Sequence, residues 1–497
     1  MKSVVIIGGG LGGLFCGAML AKEGFFVQVV EKNVTVGGGL QTFTRFGERF
    51  DTGMHTAVGM SHGGTVRRIC DYLGITERMR LKDVDPLCSD RIFFADQQQW
   101  YEIGNGREGF VDSLAGYFPG ERENLTRYVD AVYEMTSHVD VLNLRPSDGG
   151  VSLFASSQDF LLPADAFIAK FTDNPTLQSL LAYLSPLYGG RKGYTPAYVH
   201  AILTMLYIEG ASRFVGGSDR FADLLAGVIR EHGGNILTGD GAAWVEVNDR
   251  HVDYVLTESN RKLQADYYIS AIHPMALFQL MPEKALPPAF VKRVTSIPNS
   301  YSAFSLFLKL KPGSFRYLNF SEYYLRGQGD IWCFDQPDRW PVGLMLMTPP
   351  EENQGDFASK AIITVPMLFS EVERWKDTRV GRRGDDYLQW KDGKATQVLK
   401  LVEQMHPGFR SCIERMDTAS PLTIRDYYGS WEGALYGFSK DCNNIALSQL
   451  PVVTKIRNLF LSGQCCNLHG FCGVPLTAIN TCEAILGVNH LITKIGG

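Results

Sequence analysis

The chain opens on Lys2-Ser3-Val4-Val5-Ile6-Ile7, an apolar run rich in β-branched residues, which predicts a strand buried on both faces. Gly8-Gly9-Gly10-Leu11-Gly12-Gly13 follows at once. Positions 14–23 then carry helical character, with Leu14, Ala18 and Ala21 offering a small-residue face. Phe26-Val27-Gln28-Val29-Val30 reads as a second strand and ends on Glu31. Further on, the pattern predicts a hairpin over 45–59 turning at Gly47, and helices over 65–73, 123–138, 216–229, 388–405 and 476–485. Strands are expected near 233–237, 252–258, 267–271 and 458–461, and over 302–310 with alternating character. Residues 65–140 are expected to alternate helices with loops, and 300–405 to hold a mixed sheet. Pro282, Pro287 and Pro288 mark a linker.

The first thirty-one residues form a strand, Gly-rich turn, helix, strand and acid, and each part has a physical task. Gly8 makes the tight turn, Gly10 lets the backbone approach a pyrophosphate, and Gly13 lets the helix pack close to the sheet. The helix N-terminus offers N–H groups and a positive dipole end that suit a diphosphate, and Leu11 and Gly12, in the turn before it, are counted with the cofactor-binding positions. Glu31 stands 18 positions after Gly13, where an acid holds ribose hydroxyls and repels the extra phosphate of NADP; Lys32 lies beside it. This motif alone leaves FAD and NAD both open.

A chain of 497 residues exceeds one hydrophobic core and predicts two domains or more. A 45% hydrophobic and 20% charged composition is ordinary for a globular protein, and a net charge of −5 gives no reason to expect nucleic acid as a partner. No apolar run is long enough to span a bilayer, and the chain starts directly on a strand, so a cytoplasmic protein is expected. The 10 cysteines form no zinc-type pairs and are expected as reduced thiols, with Cys465, Cys466 and Cys472 read as buried and inert and a redox role or covalent flavin attachment as their alternatives, and no metal site is expected. The segment 153–206 is strongly apolar, with Phe154, Phe160, Phe167, Phe171, Leu180, Leu181, Tyr183, Leu184, Leu187 and Tyr188. Domain core is the leading reading of any one of these residues. The other readings are the lining of a long apolar substrate's pocket and a face for peripheral membrane contact.

Three later stretches sharpen the picture. Gly37-Gly38-Gly39-Leu40, followed by Phe50-Asp51-Thr52-Gly53-Met54-His55, resembles the phytoene desaturase, carotenoid isomerase and retinol saturase superfamily of FAD-dependent oxidoreductases, in a form most like the retinol saturase branch. The segment 216–274 is similar to that superfamily's second nucleotide-domain segment, and Ala242 falls where the family places a residue facing adenine. Asn458-Leu459-Phe460-Leu461-Ser462-Gly463-Gln464, then His469 to Pro475 and a helix from Leu476, match its final flavin-contact motif. Many relatives carry Arg or Lys just after the Gly pair and Pro after the final His; this chain has Gly39 and Leu40, and Gly470.

The resemblance implies an α/β architecture: a Rossmann-like, amine-oxidase-like FAD-binding domain with an inserted α+β substrate domain. The FAD-binding domain would take residues 1–75, 216–275 and 410–497, and the substrate domain 76–215 and 276–409. It adds Gly38, Gly39, Leu40, Gly53, Met54, His55, Ala242, Gly463, Gln464, Gly473, Val474, Pro475 and Ala478 to the cofactor-binding positions already named. FAD is expected to be bound tightly and without a covalent link.

The activity implied is saturation or desaturation of carbon–carbon bonds in a long apolar polyene, isoprenoid or retinoid-like molecule. Its electron partner would be a nicotinamide or another donor or acceptor. A polyene cis–trans isomerase with no net redox change is the alternative, and an amine-oxidase-type flavoenzyme or a non-catalytic nucleotide-binding protein are further ones. His55 and His469 are candidates for an acid or an orienting group, and neither is assigned a catalytic role.

Overall fold

A computed structural model describes residues 1–146 and 159–496. The first strand, β1 (Ser3–Ile7), lies at the centre of a five-stranded sheet in which every pairing is parallel. The order runs Asn235–Thr238, β2 (Phe26–Glu31), β1, Tyr267–Ser270, Leu459–Leu461. Val4 and Ile6 enter one core and Val5 and Ile7 another, so the uninterrupted apolar run reflects two covered faces. On the first face sits α1 (Leu11–Lys22), against the helices Asp219–Glu231 and Gly470–Leu486. A Cβ on Gly17 would lie 2.7 Å from Ile229 Cδ1, which is why this helix needs a small residue there. On the other face lies an antiparallel layer of Ala242–Asn248, His251–Thr257 and Lys262–Leu263.

A second, mixed sheet has seven strands in the order Ile413–Ala419, Ser302–Leu310, Lys360–Met367, Gly343–Met347, Ser321–Leu325, Asp90–Phe94, Gln99–Ile103. Only the pair Ser321–Leu325 and Asp90–Phe94 runs parallel. The helix Asp385–Met405 covers one face, contributing Val398, Leu399 and Val402. The helices Arg122–Ser137, Ala164–Ala169, Pro175–Leu181 and Ala197–Ile208 form a layer continuous with the main core.

Several expectations are corrected. Residues 65–140 contain two paired strands, Asp90–Phe94 and Gln99–Ile103, where helices and loops were expected. Ser302–Leu310 is buried at nearly every position rather than at alternate ones, because sheet neighbours flank it and both of its faces are covered. The strand Ile413–Ala419, read with the cofactor-binding segments, pairs instead with Ser302–Leu310 in the mixed sheet. Leu277, Met281 and Leu286, read with the substrate segments, pack beside Val5 and Tyr268 under the parallel sheet. The last long helix starts at Gly470, six residues before the expected start, so Gly473, Val474 and Pro475 lie inside it. Phe154 falls outside the described residues.

Candidate functional site

A single cavity of about 530 Å³ runs from the Gly-rich turn after β1, past the start of the helix Gly470–Leu486, to a pocket beside the mixed sheet. At its first end, Gly8, Gly10, Leu11 and Gly12 meet Glu31, Lys32, Ala242 and Glu258. Gly8 takes φ +101°, which favours glycine, and turns the chain from β1 into α1. A Cβ on Gly12 would lie 3.0 Å from Gly463 Cα, so the first and last motifs touch backbone to backbone. Glu31 Oε2 accepts the Gly9 N–H at 2.8 Å, and Oε1 accepts that of Asn33 at 2.8 Å. Each oxygen keeps a further lone pair for a hydroxyl at the cavity wall. Lys32 Nζ donates to the Asp426 carbonyl at 3.0 Å, which ties this end to the helix Pro421–Tyr428.

Of the sequence-derived positions, Gly38, Gly39, Leu40, Gly53, Met54, His55, Gly463, Gln464 and Val474 also line the cavity. Four do not. Gly13 lies under the turn, where a Cβ would overlap the Gly8 carbonyl oxygen. Gly473 packs on Leu468, and a Cβ there would stand 2.6 Å from Leu468 Cβ. Pro475 and Ala478 lie inside the last long helix, and the Ala478 side chain is fully buried in the core with Cys16. The early start of that helix turns these residues toward the protein interior.

The middle of the cavity is neutral and hydrogen-bond-ready. His55 Nδ1 is buried there with no hydrogen-bond partner among the described residues, and the Tyr428 hydroxyl is buried beside it. Burial, helped by the Arg213 charge, holds the His55 pKa down at about 4, so its imidazole is neutral at ordinary pH. His469, the residue that opens the last long helix, is likewise held down to about 3 by burial. Its Nε2 lies 3.2 Å from the Tyr188 carbonyl oxygen, so that nitrogen carries the hydrogen. Cys465 borders the cavity, and burial pushes its thiol up to about 12; Cys472 is pushed equally high. Neither sulfur supplies a thiolate for covalent attachment.

The far end is walled by Tyr183, Leu187, Leu203, Tyr207, Leu325 and Phe334. Tyr183 and Leu187 thus belong to the wall, whereas Phe160, Phe167, Leu180, Leu181 and Leu184 are core. Tyr207, Tyr323 and Tyr428 line the cavity without having been singled out from sequence. The only signal for them was aromatic content, which core and pocket share.

The segment 6–73 matches the model of an NAD(P)-binding Rossmann-like domain. Over 98% of its length the chain is 27% identical to rat all-trans-retinol 13,14-reductase, covering 86% of that protein. It is 22% identical to a chloroplastic prolycopene isomerase of an Oncidium hybrid, with 93% of this chain and 80% of that one aligned. The chain is thus similar, over nearly its whole length, to members of the phytoene desaturase, carotenoid isomerase and retinol saturase superfamily. A putrescine oxidase solved with putrescine bound has the same fold, with a TM-score of 0.65 at 12% identity over 98% of this chain and 99% of that one.

The chain is an FAD-dependent oxidoreductase with a Rossmann-like domain and an inserted α+β domain. Its residues fit the coenzyme. Two helices begin at the cavity wall, after Gly10 and at Gly470, and neither has a side-chain cap among the described residues. An uncapped helix start presents unpaired N–H groups and partial positive charge, which suit a diphosphate at one and a reduced flavin ring at the other. The open space over Gly10, where a Cβ would meet nothing nearer than Gly38 Cα at 3.9 Å, leaves room for the diphosphate. Among the described residues no helix is long and apolar enough to cross a membrane.

Proposed function

We propose that this flavoenzyme adds hydrogen across a carbon–carbon double bond of a long apolar polyene, of the kind named in all-trans-retinol 13,14-reductase. The observation that carries the reading is the continuity of one cavity from the dinucleotide turn to an aromatic and aliphatic pocket. When bound, FAD supplies two-electron chemistry at the ring end. Glu31 and Ala242 hold the adenosine, Gly10, Leu11, Gly12, Gly38 and Gly39 the diphosphate, and Gly53, Met54, His55, Gly463, Gln464 and Val474 the ring and its chain. Neutral His55 orients the ring or substrate by hydrogen bonding through Nδ1. Leu187, Leu203, Leu325 and Phe334 exclude water and hold the apolar chain by burial.

Electrons come from a nicotinamide or another two-electron donor. The protein is cytoplasmic and collects its substrate by peripheral contact with a membrane. The domains divide near the sequence-derived boundaries, with the third coenzyme segment beginning after Ala419 instead of at 410.

Amine oxidation is the weaker reading. The carboxylates lining the cavity, Glu31 and Glu258, sit at the adenosine end, and among the described residues none lines the aromatic pocket to receive an ammonium group. Anaerobic incubation of the dithionite-reduced holoenzyme with all-trans-retinol and with longer polyenes tests the proposal. A product heavier by two hydrogen atoms supports it. Unchanged mass with altered retention would instead show an isomerase, and hydrogen peroxide released from putrescine in air would show an amine oxidase.

A further inference from the structure

Behind the aromatic pocket lies a polar cluster that binding of the coenzyme does not use. Tyr183 lines the cavity, and its hydroxyl donates to Asp90 Oδ2 at 2.9 Å. Asp90, at the start of its strand, is 2% exposed and has no ion-pair partner within reach among the described residues. Tyr323 packs edge-on against Tyr183, with ring centroids 5.4 Å apart. Close by, the Arg213 guanidinium is wholly buried and bonded to neutral oxygens: the carbonyls of Leu318 at 3.0 Å and Thr348 at 3.1 Å, and Ser321 Oγ at 3.0 Å. A buried cation without a carboxylate contact and a buried acid without a cation contact among the described residues, in one cluster beside a substrate pocket, are costly unless the acid's charge state changes in use.

We propose that Tyr183 is the catalytic acid of the saturation reaction and that Asp90 is the positioning residue that reloads it with a proton. The proposal rests on the polyene-saturation reading above and deepens it. Burial raises the Asp90 pKa to about 7, against the opposing effects of the Tyr183 hydrogen bond and the Arg213 charge. The titratable groups that face it are Tyr183, Tyr207, Tyr323, Cys88 and Arg213. The phenols and the thiol are all held protonated by burial, so Asp90 is the member of the cluster that changes charge near neutrality.

With Asp90 protonated, the hydrogen bond reverses: the carboxylic O–H donates to the Tyr183 oxygen, and the phenol O–H is free to face the cavity. Reduced FAD, when bound, would supply the hydride equivalent for one alkene carbon. The π electron pair forms the second C–H bond with the Tyr183 proton at the neighbouring carbon. The phenolate takes the Asp90 proton, leaving a carboxylate opposite Arg213, and solvent reprotonates it after product leaves. The alkene gains two electrons and two hydrogens, and the flavin loses two electrons.

The test compares the holoenzyme with Tyr183→Phe and Asp90→Asn. Two readouts are followed: polyene saturation against pH, and the infrared band of a buried carboxylic acid against pH. The second needs no turnover. In the wild type, saturation is expected to decline as pH rises through about 7, in step with loss of the band. Tyr183→Phe should lower saturation about 10²–10⁴-fold while the flavin still reduces and reoxidises with small acceptors. It should also move the band's titration upward, since the Tyr183 bond favours the carboxylate. Asp90→Asn should abolish the band and the decline near pH 7 together. If the wild type saturates polyenes and Tyr183→Phe stays within about threefold of it, or if Asp90→Asn keeps the same pH profile, the assignment is overturned. A wild type that saturates no polyene instead overturns the reading on which the assignment rests.

Discussion

Gly10 and Gly13 belong to one turn, yet an added methyl should have opposite consequences at the two positions. Gly10 has φ −75° and ψ −177°, an extended conformation that alanine adopts without strain. Its Cβ would point into the cavity and meet nothing nearer than 3.9 Å. Gly10→Ala should therefore leave the coenzyme-free fold within about 0.5 kcal/mol of wild type, or slightly stabilise it by restricting the unfolded chain. The methyl would occupy space assigned to the diphosphate, and overpacking of that kind costs about 1–3 kcal/mol. That corresponds to FAD binding weaker by about 5–150-fold. At Gly13 the methyl would overlap the Gly8 carbonyl oxygen, a backbone atom that cannot rotate away. Gly13→Ala should lower the melting temperature of the coenzyme-free protein first, with loss of FAD as a consequence. Thermal melts of the coenzyme-free variants and FAD titrations by fluorescence quenching separate the two. Wild-type FAD affinity in Gly10→Ala, or a fall in its coenzyme-free melting temperature as large as that of Gly13→Ala, would refute the reasoning.

Three further outcomes are expected. A Cβ on Gly53 would run into the Tyr428 hydroxyl, so Gly53→Ala should weaken FAD binding and Tyr428→Phe should restore part of it. A double-mutant cycle should show coupling of about 0.5–3 kcal/mol, and strict additivity would contradict the contact. His200 is fully buried between the Tyr128 hydroxyl at 2.7 Å and the Tyr188 hydroxyl at 3.1 Å, and burial lowers its pKa to about 3. Below pH 6.5 the unfolded state binds a proton that the folded state refuses, so stability is lost as pH falls from 6.5. Between pH 7 and 5, urea unfolding should show wild type losing about 2 kcal/mol more than His200→Gln; equal losses would refute this. Burial raises the Cys465, Cys466 and Cys472 pKa values, so a thiol reagent should not label them in the native protein at pH 8 and should label them after unfolding.

The parts legible in sequence were those whose chemistry is local. Gly8 at φ +101° and the acid at Glu31 are set by neighbours within one turn or one strand and lie where the pattern put them, while α1 starts at Leu11, three residues before the expected start, because Gly12 and Gly13 join the helix. The strand Asp90–Phe94 was not legible. Its first two residues are charged, and it is held by Ser321–Leu325, more than two hundred positions away, in a register pairing Asp90 with Ser321. Burial of Asp90 and Arg213 has the same origin, since no local pattern signals a buried charge whose partners come from distant segments. The helix from Gly470 was read too late because Gly470 and Pro475 both look like punctuation, although Gly470 supplies a positive φ at the start and Pro475 is accommodated inside. Tyr183 and Phe160 are alike in sequence; only the fold separates cavity wall from core.

The central claim is that one FAD molecule lies along the cavity joining the two uncapped helix starts. A crystal structure of the chain with FAD tests it most directly. The account predicts continuous density for a single molecule, with the adenosine beside Glu31 and Ala242, the diphosphate over Gly10 and Gly12, and the ring at Val474 and His55. Density that leaves the ring outside this cavity, or that places the adenosine away from Glu31, would contradict it.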